Sequence, residues 1–141
     1  MAEQSAITPE IKSLMDRQFG PAVYEIEKWW LHKFAEAIDD PNPKWKEEAP
    51  PTFATALELH EMADAMAQVE TPFTRNLNGG NELEYHVPVR LGDTITVTGR
   101  VIDIKERGGK LGKMLILRSE TTYTNQRGEV AVKSYNTQIK Y

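Results

Sequence analysis

An α+β fold, with one long central helix wrapped by a curved antiparallel sheet, is what this sequence predicts, and three observations carry the prediction. The stretch APPTFATALELHEMADAMAQV, from Ala49 to Val69, sets Ala56, Leu59, Met62, Ala63, Met66, Ala67 and Val69 on one arc at the helical period, with Glu58, His60, Glu61, Asp64 and Gln68 opposite. Almost everything downstream reads as strand, in four runs separated by turn residues. The chain has 141 residues, a single-domain length, so helix and strands are expected to share one core.

Pro50 and Pro51 punctuate the start of the long helix, Thr52 stands as its N-cap, and Pro72 follows its end. Alanines at 56, 63, 65 and 67 let other backbone come close. Free backbone N–H groups at the helix start attract developing negative charge, so what that end points at is the functional question.

Upstream, residues to about Gly20 carry a weak helical pattern anchored by Ile11, Leu14 and Met15, and Gly20-Pro21 breaks it. Residues 1–20 are therefore read as an N-terminal arm or short helix and 21–141 as the domain. Val23, Tyr24 and Ile26 suggest a first strand. WWLHKFAEAI, Trp29 to Ile38, places Trp30, Phe34, Ala37 and Ile38 at helical spacing, with His32 as a surface residue of that helix. The loop DDPNPKWKEEAPP, Asp39 to Pro51, is too long to be a mere connection. VETPFTRNLNGGN, Val69 to Asn81, reads as irregular. In ELEYHVPV, Leu83, Tyr85, Val87 and Val89 alternate with Glu82, Glu84 and His86, and Pro88 makes this an edge or bulged strand. TITVTGRVIDI, KMLILRSETTYT and EVAVKSYNTQIKY complete the sheet, joined by turns at Arg107-Gly108-Gly109-Lys110 and Asn125-Gln126-Arg127-Gly128. The last two strands are partly apolar on both faces, which favours a dimer.

Composition narrows the function. Hydrophobic content of 40% and charged content of 27% are those of a soluble globular protein, and no apolar run is long enough to span a bilayer. The opening MAEQSAITPEIK lacks the pattern of a signal peptide and the chain has no cysteine, so a cytoplasmic location is expected. A net charge of -4 argues against nucleic acid as a partner. Lys105, Arg107, Lys110 and Lys113 form a local basic cluster, readable as a solvated hairpin tip or as a contact for a phosphate-bearing ligand. No metal or other cofactor is expected. His32, His60 and His86 lie on separate elements without a second ligand at a recurrent spacing, and Gly108, Gly109 and Gly112 sit at a hairpin tip rather than at a strand-to-helix turn.

A helix wrapped in this way is the hotdog architecture, and four segments carry a family resemblance to it: FAEAIDDPNP (Phe34–Pro43), APPTF (Ala49–Phe53), LNGGNELEYHVPVRLGD (Leu77–Asp93) and ETTYTNQRGEVA (Glu120–Ala131). From about Gly20 to Tyr141 the chain resembles the MaoC-like dehydratases. Within them it resembles the branch of the N-terminal domain of fungal-type fatty acid synthase-like dehydratases and of the non-catalytic subunits of mycobacterial hydroxyacyl-carrier-protein dehydratases. The resemblance implies a single hotdog fold, side-by-side pairing of two hotdogs, and acyl thioesters of coenzyme A or acyl carrier protein as ligands.

The family reaction is reversible hydration of a trans-2-enoyl thioester to the (R)-3-hydroxyacyl form, and active members carry Gly-Asp-x-Asn-Pro-aliphatic-His on the loop. The aspartate and histidine hold one water, whose oxygen attacks C3 while a proton is delivered to C2. Backbone N–H at the start of the central helix holds the thioester oxygen. On this sequence the motif falls on Asp39 for glycine, Asp40 for aspartate, Asn42, Pro43, Lys44 for the aliphatic residue and Trp45 for histidine. An indole N–H donates but does not exchange its proton near neutral pH, so Trp45 cannot do the work of imidazole. The resemblance thus implies a subunit lacking the catalytic histidine, paired with a MaoC-like partner that carries it. Asp40 is the degenerate catalytic position, with loop bracing as its other role. Asn42 is expected to shape the turn, Trp45, Phe53, Leu57 and Phe73 to lie near the acyl chain, and Thr52, Phe53 and Ala54 to present the helix start. For Phe53 and Leu57 plain core packing is equally open.

Two other functions stay open at this level. A hotdog acyl-CoA thioesterase would use a central-helix carboxylate, Glu58, Glu61 or Asp64. A homodimeric acyl-thioester binder would keep the tunnel without chemistry.

Overall fold

Thr8 and Pro9 open the first helix: the Thr8 hydroxyl accepts the Ile11 N–H at 3.2 Å, Pro9 sits in the first turn, and the short helix α1 runs Pro9–Ser13. The computed structural model describes residues 5–110 and 112–141; the first four residues of the expected arm lie outside them. Ile11 and Leu14 are buried and anchor the arm, whereas Met15, the third apolar residue of its weak periodicity, is exposed. Its start is also held by Glu106 on the sheet, whose carboxylate accepts the Ser5 hydroxyl and the Ile7 N–H, the latter at 3.0 Å.

The sheet has five strands, all antiparallel, in the order β1-β3-β4-β5-β2. They are β1 (Phe19–Glu25), β2 (Asn76–Tyr85), β3 (Thr94–Gly109), β4 (Gly112–Thr124) and β5 (Val130–Lys140). Between β1 and β2 the chain forms α2 (Lys28–Ala37), the loop, a 3-10 segment (Pro51–Ala56) and α3 (His60–Gln68). The core lies where Ile95, Val97 and Val101 of β3 and Leu115 and Leu117 of β4 meet Phe53, Leu57, Leu59, Met62 and Met66. Burial alternates along β3 and β4, as strands with one covered face require. Gly99 on β3 is what lets α3 settle: a Cβ there would stand 2.8 Å from Leu59 Cδ2 and 3.0 Å from Met62 Sδ.

Three stretches differ from the sequence reading. The helix expected from Ala49 to Val69 is interrupted: the 3-10 segment ends at Ala56, and Leu57 and Leu59 take ψ of 78° and 82°, outside the helical region. Leu57 and Leu59 are both buried. Residues two apart point to nearly opposite sides of a helix, so burying both in one core requires extended backbone between them. Met62, Met66 and Val69 then carry the buried stripe, while Ala63 and Ala67 are exposed. The second difference is β2, which starts at Asn76 inside the stretch read as irregular and stops at Tyr85, short of Val87 and Val89. Among the described residues it pairs with β5 alone, and it is exposed along nearly its whole length, so no apolar alternation marks its first half. Its irregularity survives as a register shift between Asn78 and Gly80.

At the other edge, β1 runs through Gly20-Pro21 rather than starting after it. Among the described residues no helix is long and apolar enough to cross a membrane.

Candidate functional site

The site is built on the loop that leaves α2. Asp39 takes φ of +53°, a left-handed conformation that aspartate tolerates and glycine favours. The resemblance sets the motif's glycine at this position, the residue for which such a φ costs least. Two nested side-chain turns follow: Asp40 Oδ1 accepts the Asn42 N–H at 3.1 Å, and Asn42 Oδ1 accepts the Lys44 N–H at 3.0 Å. Asn42 thereby caps a short 3-10 turn, Pro43–Lys46, with Pro43 in its first turn. That turn presents Trp45.

Trp45 is half-buried, and its indole Nε1 is wholly shielded from solvent without an acceptor in hydrogen-bond geometry. The same N–H still lies close enough to the Asp40 carboxylate to favour its charged form. Together with the Asn42 N–H it holds the Asp40 carboxyl below the usual aspartate value, with the indole as the larger influence. A direct hydrogen bond would have satisfied the donor, so we read the pair as an electrostatic contact. Lys44 Nζ stands 5.8 Å over the Trp45 ring and 3.4 Å from Glu48.

Beyond the turn the loop is tied to the segment after β2. The Ala49 N–H donates to Val89 C=O at 2.7 Å, and the Leu91 N–H to Glu47 C=O at 2.9 Å. Pro50 is fully buried and the Pro51–Ala56 segment begins. Phe53 is inaccessible to solvent, with Trp30 and Phe34 edge-on to it at 5.3 Å each, so two residues of α2 lock the segment in place. The Phe53 N–H is spent on Pro50 C=O at 3.0 Å.

Two clefts flank this loop. The smaller, about 250 Å³, lies between the loop and the end of β2 and is lined by Lys44, Trp45, Glu48, Ala49, Pro50, Pro51, Ala54, Tyr85, His86, Val87, Pro88, Val89 and Val132. The larger, about 500 Å³, lies against α2 and is lined by Lys28, His32, Ala35, Glu36, Asp39, Asp40, Pro41, Asn42, Trp45 and Lys46.

Of the residues singled out in the sequence, Asp40, Asn42 and Trp45 meet in the larger cleft, and Trp45 meets Ala54 in the smaller. Thr52, Phe53, Leu57 and Phe73 line neither. Thr52 is exposed, Phe53 and Leu57 are core, and Phe73 packs partly buried against the core. The helix carboxylates Glu58, Glu61 and Asp64 line neither cleft. Glu61 is engaged by the Gly20 N–H at 2.9 Å and by Arg17, and Glu58 faces His60 at 3.3 Å. His32 and His86 line the larger and smaller clefts respectively. His86 Nε2 lies 2.8 Å from a Glu84 oxygen, and Tyr85 beside it donates its hydroxyl to Pro51 C=O at 2.9 Å. In sequence these residues belong to an ordinary polar-apolar alternation, and only the non-local pairing of Ala49 with Val89 brings them to the loop. Among the described residues no three metal-ligating side chains stand close enough to hold an ion.

A five-stranded antiparallel sheet over a short helix that buries one face, with a capped Asp-x-Asn-Pro loop beside it, defines a hotdog of the dehydratase class. Residues 13–134 match the family described as FAS1-like, dehydratase domain region, and the chain belongs to that family. A UPF0336 protein of Thermobifida fusca is 33% identical over 128 residues, which cover 81% of this chain and 82% of that one. Among solved structures, the C-terminally truncated HadBC (3R-hydroxyacyl-ACP dehydratase) complex of Mycobacterium tuberculosis superposes with a TM-score of 0.69 at 20% identity, covering 87% of this chain and 94% of that chain. The ChsH1-ChsH2 complex of the same organism superposes at 0.79 and 12% identity, covering 94% and 89%. The hotdog expectation and the resemblance to MaoC-like dehydratases are thereby met.

Proposed function

We propose that this chain is the motif-deficient subunit of a two-subunit (R)-specific 2-enoyl-thioester hydratase, in reverse a 3-hydroxyacyl-thioester dehydratase, acting in the cytoplasm on coenzyme A or carrier-protein thioesters. The observation that supports it is the Asp40–Trp45 pair. The loop bends left-handed at the motif's glycine position, keeps the asparagine and the proline of the motif, and presents an indole where a proton-exchanging imidazole is required. In this reading a MaoC-like partner supplies the aspartate and histidine that hold the attacking water. This chain supplies an apolar wall and an interface.

Two further facts fit. Among the described residues no strand pairs with the outer edge of β2, Asn76–Tyr85, and a second sheet would satisfy its backbone groups. The smaller cleft lies at that same edge, beside Tyr85 and His86, where a partner would close it. HadBC and ChsH1-ChsH2 are two-component complexes, which accords with a paired subunit.

The test is hydration of crotonyl-CoA and of a long-chain enoyl-CoA, followed at the enoyl absorbance. It compares the chain alone, the chain with Trp45→His, and the chain co-expressed with an intact-motif MaoC-like polypeptide of its own organism. No turnover alone, little after the replacement, and turnover in the stable pair is the expected set. Robust turnover by the unmodified chain overturns the reading, and thiol release without enoyl loss would point to a thioesterase. A homodimer that binds acyl thioesters without turnover, and takes up no partner, would favour the binder.

A further inference from the structure

We propose that Trp45 determines acyl chain length in this subunit: its indole plugs the passage between the two clefts, and the acyl group held in the smaller one ends against it. The proposal rests on the acyl-thioester reading above and adds what that reading leaves open, the size of the acyl group.

The Asp39–Pro51 loop runs between a cleft beside α2 and a cleft beside the end of β2. Among the described residues Trp45 is the one common to both linings. The smaller cleft is walled by Pro50, Pro51, Ala54, Val87, Val89 and Val132, an apolar set that accepts a hydrocarbon chain. Its polar groups come in pairs, Lys44 with Glu48 and His86 with Glu84, and His86 is exposed. A ligand with an apolar tail and a polar head fits this arrangement, its head at the exposed His86 side. At roughly 30 Å³ for each water-sized group, about 250 Å³ holds about eight carbons.

Trp45 is suited to be a fixed stop. The Asn42 cap and Pro43 set the backbone that carries it, and Lys44 covers one side of the ring. Its buried Nε1 has no acceptor in hydrogen-bond geometry and meets the Asp40 carboxylate only as an electrostatic contact, so the indole is not placed to brace the loop by a hydrogen bond. A ring large enough to separate the clefts carries that N–H with it. Removing the ring joins the smaller cleft to the 500 Å³ one beyond.

The experiment is calorimetric binding of saturated acyl-CoAs from four to sixteen carbons to the whole chain. The proteins are the unmodified chain, Trp45→Phe, Trp45→Leu and Trp45→Ala, each checked for native circular dichroism. Affinity of the unmodified chain and of Trp45→Phe is expected to rise to about eight carbons and then stay level within about threefold. In Trp45→Ala, dodecanoyl-CoA is expected to bind at least about tenfold tighter than octanoyl-CoA, since each newly buried methylene is worth a several-fold gain. Trp45→Leu, which keeps an apolar side chain of intermediate size, gives a smaller gain and carries the test if the alanine variant does not fold. Ala49→Leu, which narrows the smaller cleft, moves the plateau to shorter chains. A plateau unchanged in both Trp45→Ala and Trp45→Leu, or affinity that already climbs through sixteen carbons in the unmodified chain, overturns the proposal. So does the absence of acyl-CoA binding at every length. That last result leaves the two-subunit reading standing, because turnover by the pair is measured separately.

Discussion

Phe53 tests whether the segment bearing the cleft wall is held by the core or by a ligand. Its ring is inaccessible to solvent and makes edge-to-face contacts with Trp30, at 67° between planes, and with Phe34, at 81°. Truncation to alanine removes a fully buried aromatic and leaves a cavity between α2 and the 3-10 segment, which costs about 3–5 kcal/mol. Leucine keeps much of the volume and loses the two ring contacts, each worth about 0.5–1.5 kcal/mol, so Phe53→Leu is expected to cost about 1–3 kcal/mol. Against a total stability of about 5–15 kcal/mol for a domain of this kind, the alanine variant is close to the folding threshold. Urea unfolding followed by far-ultraviolet circular dichroism reads the effect: with a slope near 2 kcal/mol/M, Phe53→Ala lowers the midpoint by about 2 M at unchanged slope. A shift under about 0.5 M at unchanged slope would refute the account, since a ring lining a ligand tunnel can be truncated at little cost to the empty protein. A double-mutant cycle with Phe34→Leu should return a coupling of about 1 kcal/mol, and additivity would remove the ring contact from the explanation.

Three further outcomes follow from particular contacts. Gly20 has φ of +92° and a Cβ there would stand 2.6 Å from Val97 C=O, a backbone atom of the next strand, so Gly20→Ala should cost about 3 kcal/mol. That corresponds to roughly 10 °C in Tm, and a fall under about 3 °C would show that the edge strand yields. Asp93 is buried and accepts the Arg90 N–H at 2.8 Å and the Gln126 amide at 2.9 Å, joining the turn before β3 to the turn before β5. Asp93→Ala leaves both donors unpaired and should cost about 2–3 kcal/mol of stability in urea unfolding, whereas a neutral result would mean that water replaces the carboxylate. The Ser5 hydroxyl and Lys113 depress the Glu106 carboxyl from 4.5 to about 2. Because the depressed pKa belongs to the folded state, its contribution is present above pH 4.5 and is lost as pH falls toward 2. The Tm gap between the unmodified chain and Glu106→Gln should accordingly narrow over that window, and a gap constant with pH would contradict the assignment.

The sequence by itself determined the class of fold, the order of its elements and the absence of the motif histidine. Each of these is local. The pattern in β3 and β4 follows from one covered face, the 28–37 helix from aromatic residues at helical spacing, and the loop from a run of proline, aspartate and asparagine whose side chains bond their own backbone. Even Asp39 in the glycine position follows local chemistry, since its φ of +53° is one that aspartate accepts. Only the tertiary structure decided where the long apolar stretch stops being a helix. Leu57 and Leu59 must both reach one core, and that demand outweighs helical propensity at a point where periodicity shows no break. It also decided which residues face the loop. Phe53 and Leu57 went to the core and His86 came to the cleft, because the Ala49–Val89 hydrogen bond joins segments forty residues apart in sequence. The position of Trp45 as the wall shared by two clefts has the same origin. A side chain's neighbours across space depend on how α2, the loop and the end of β2 pack together, and no spacing along the chain records that.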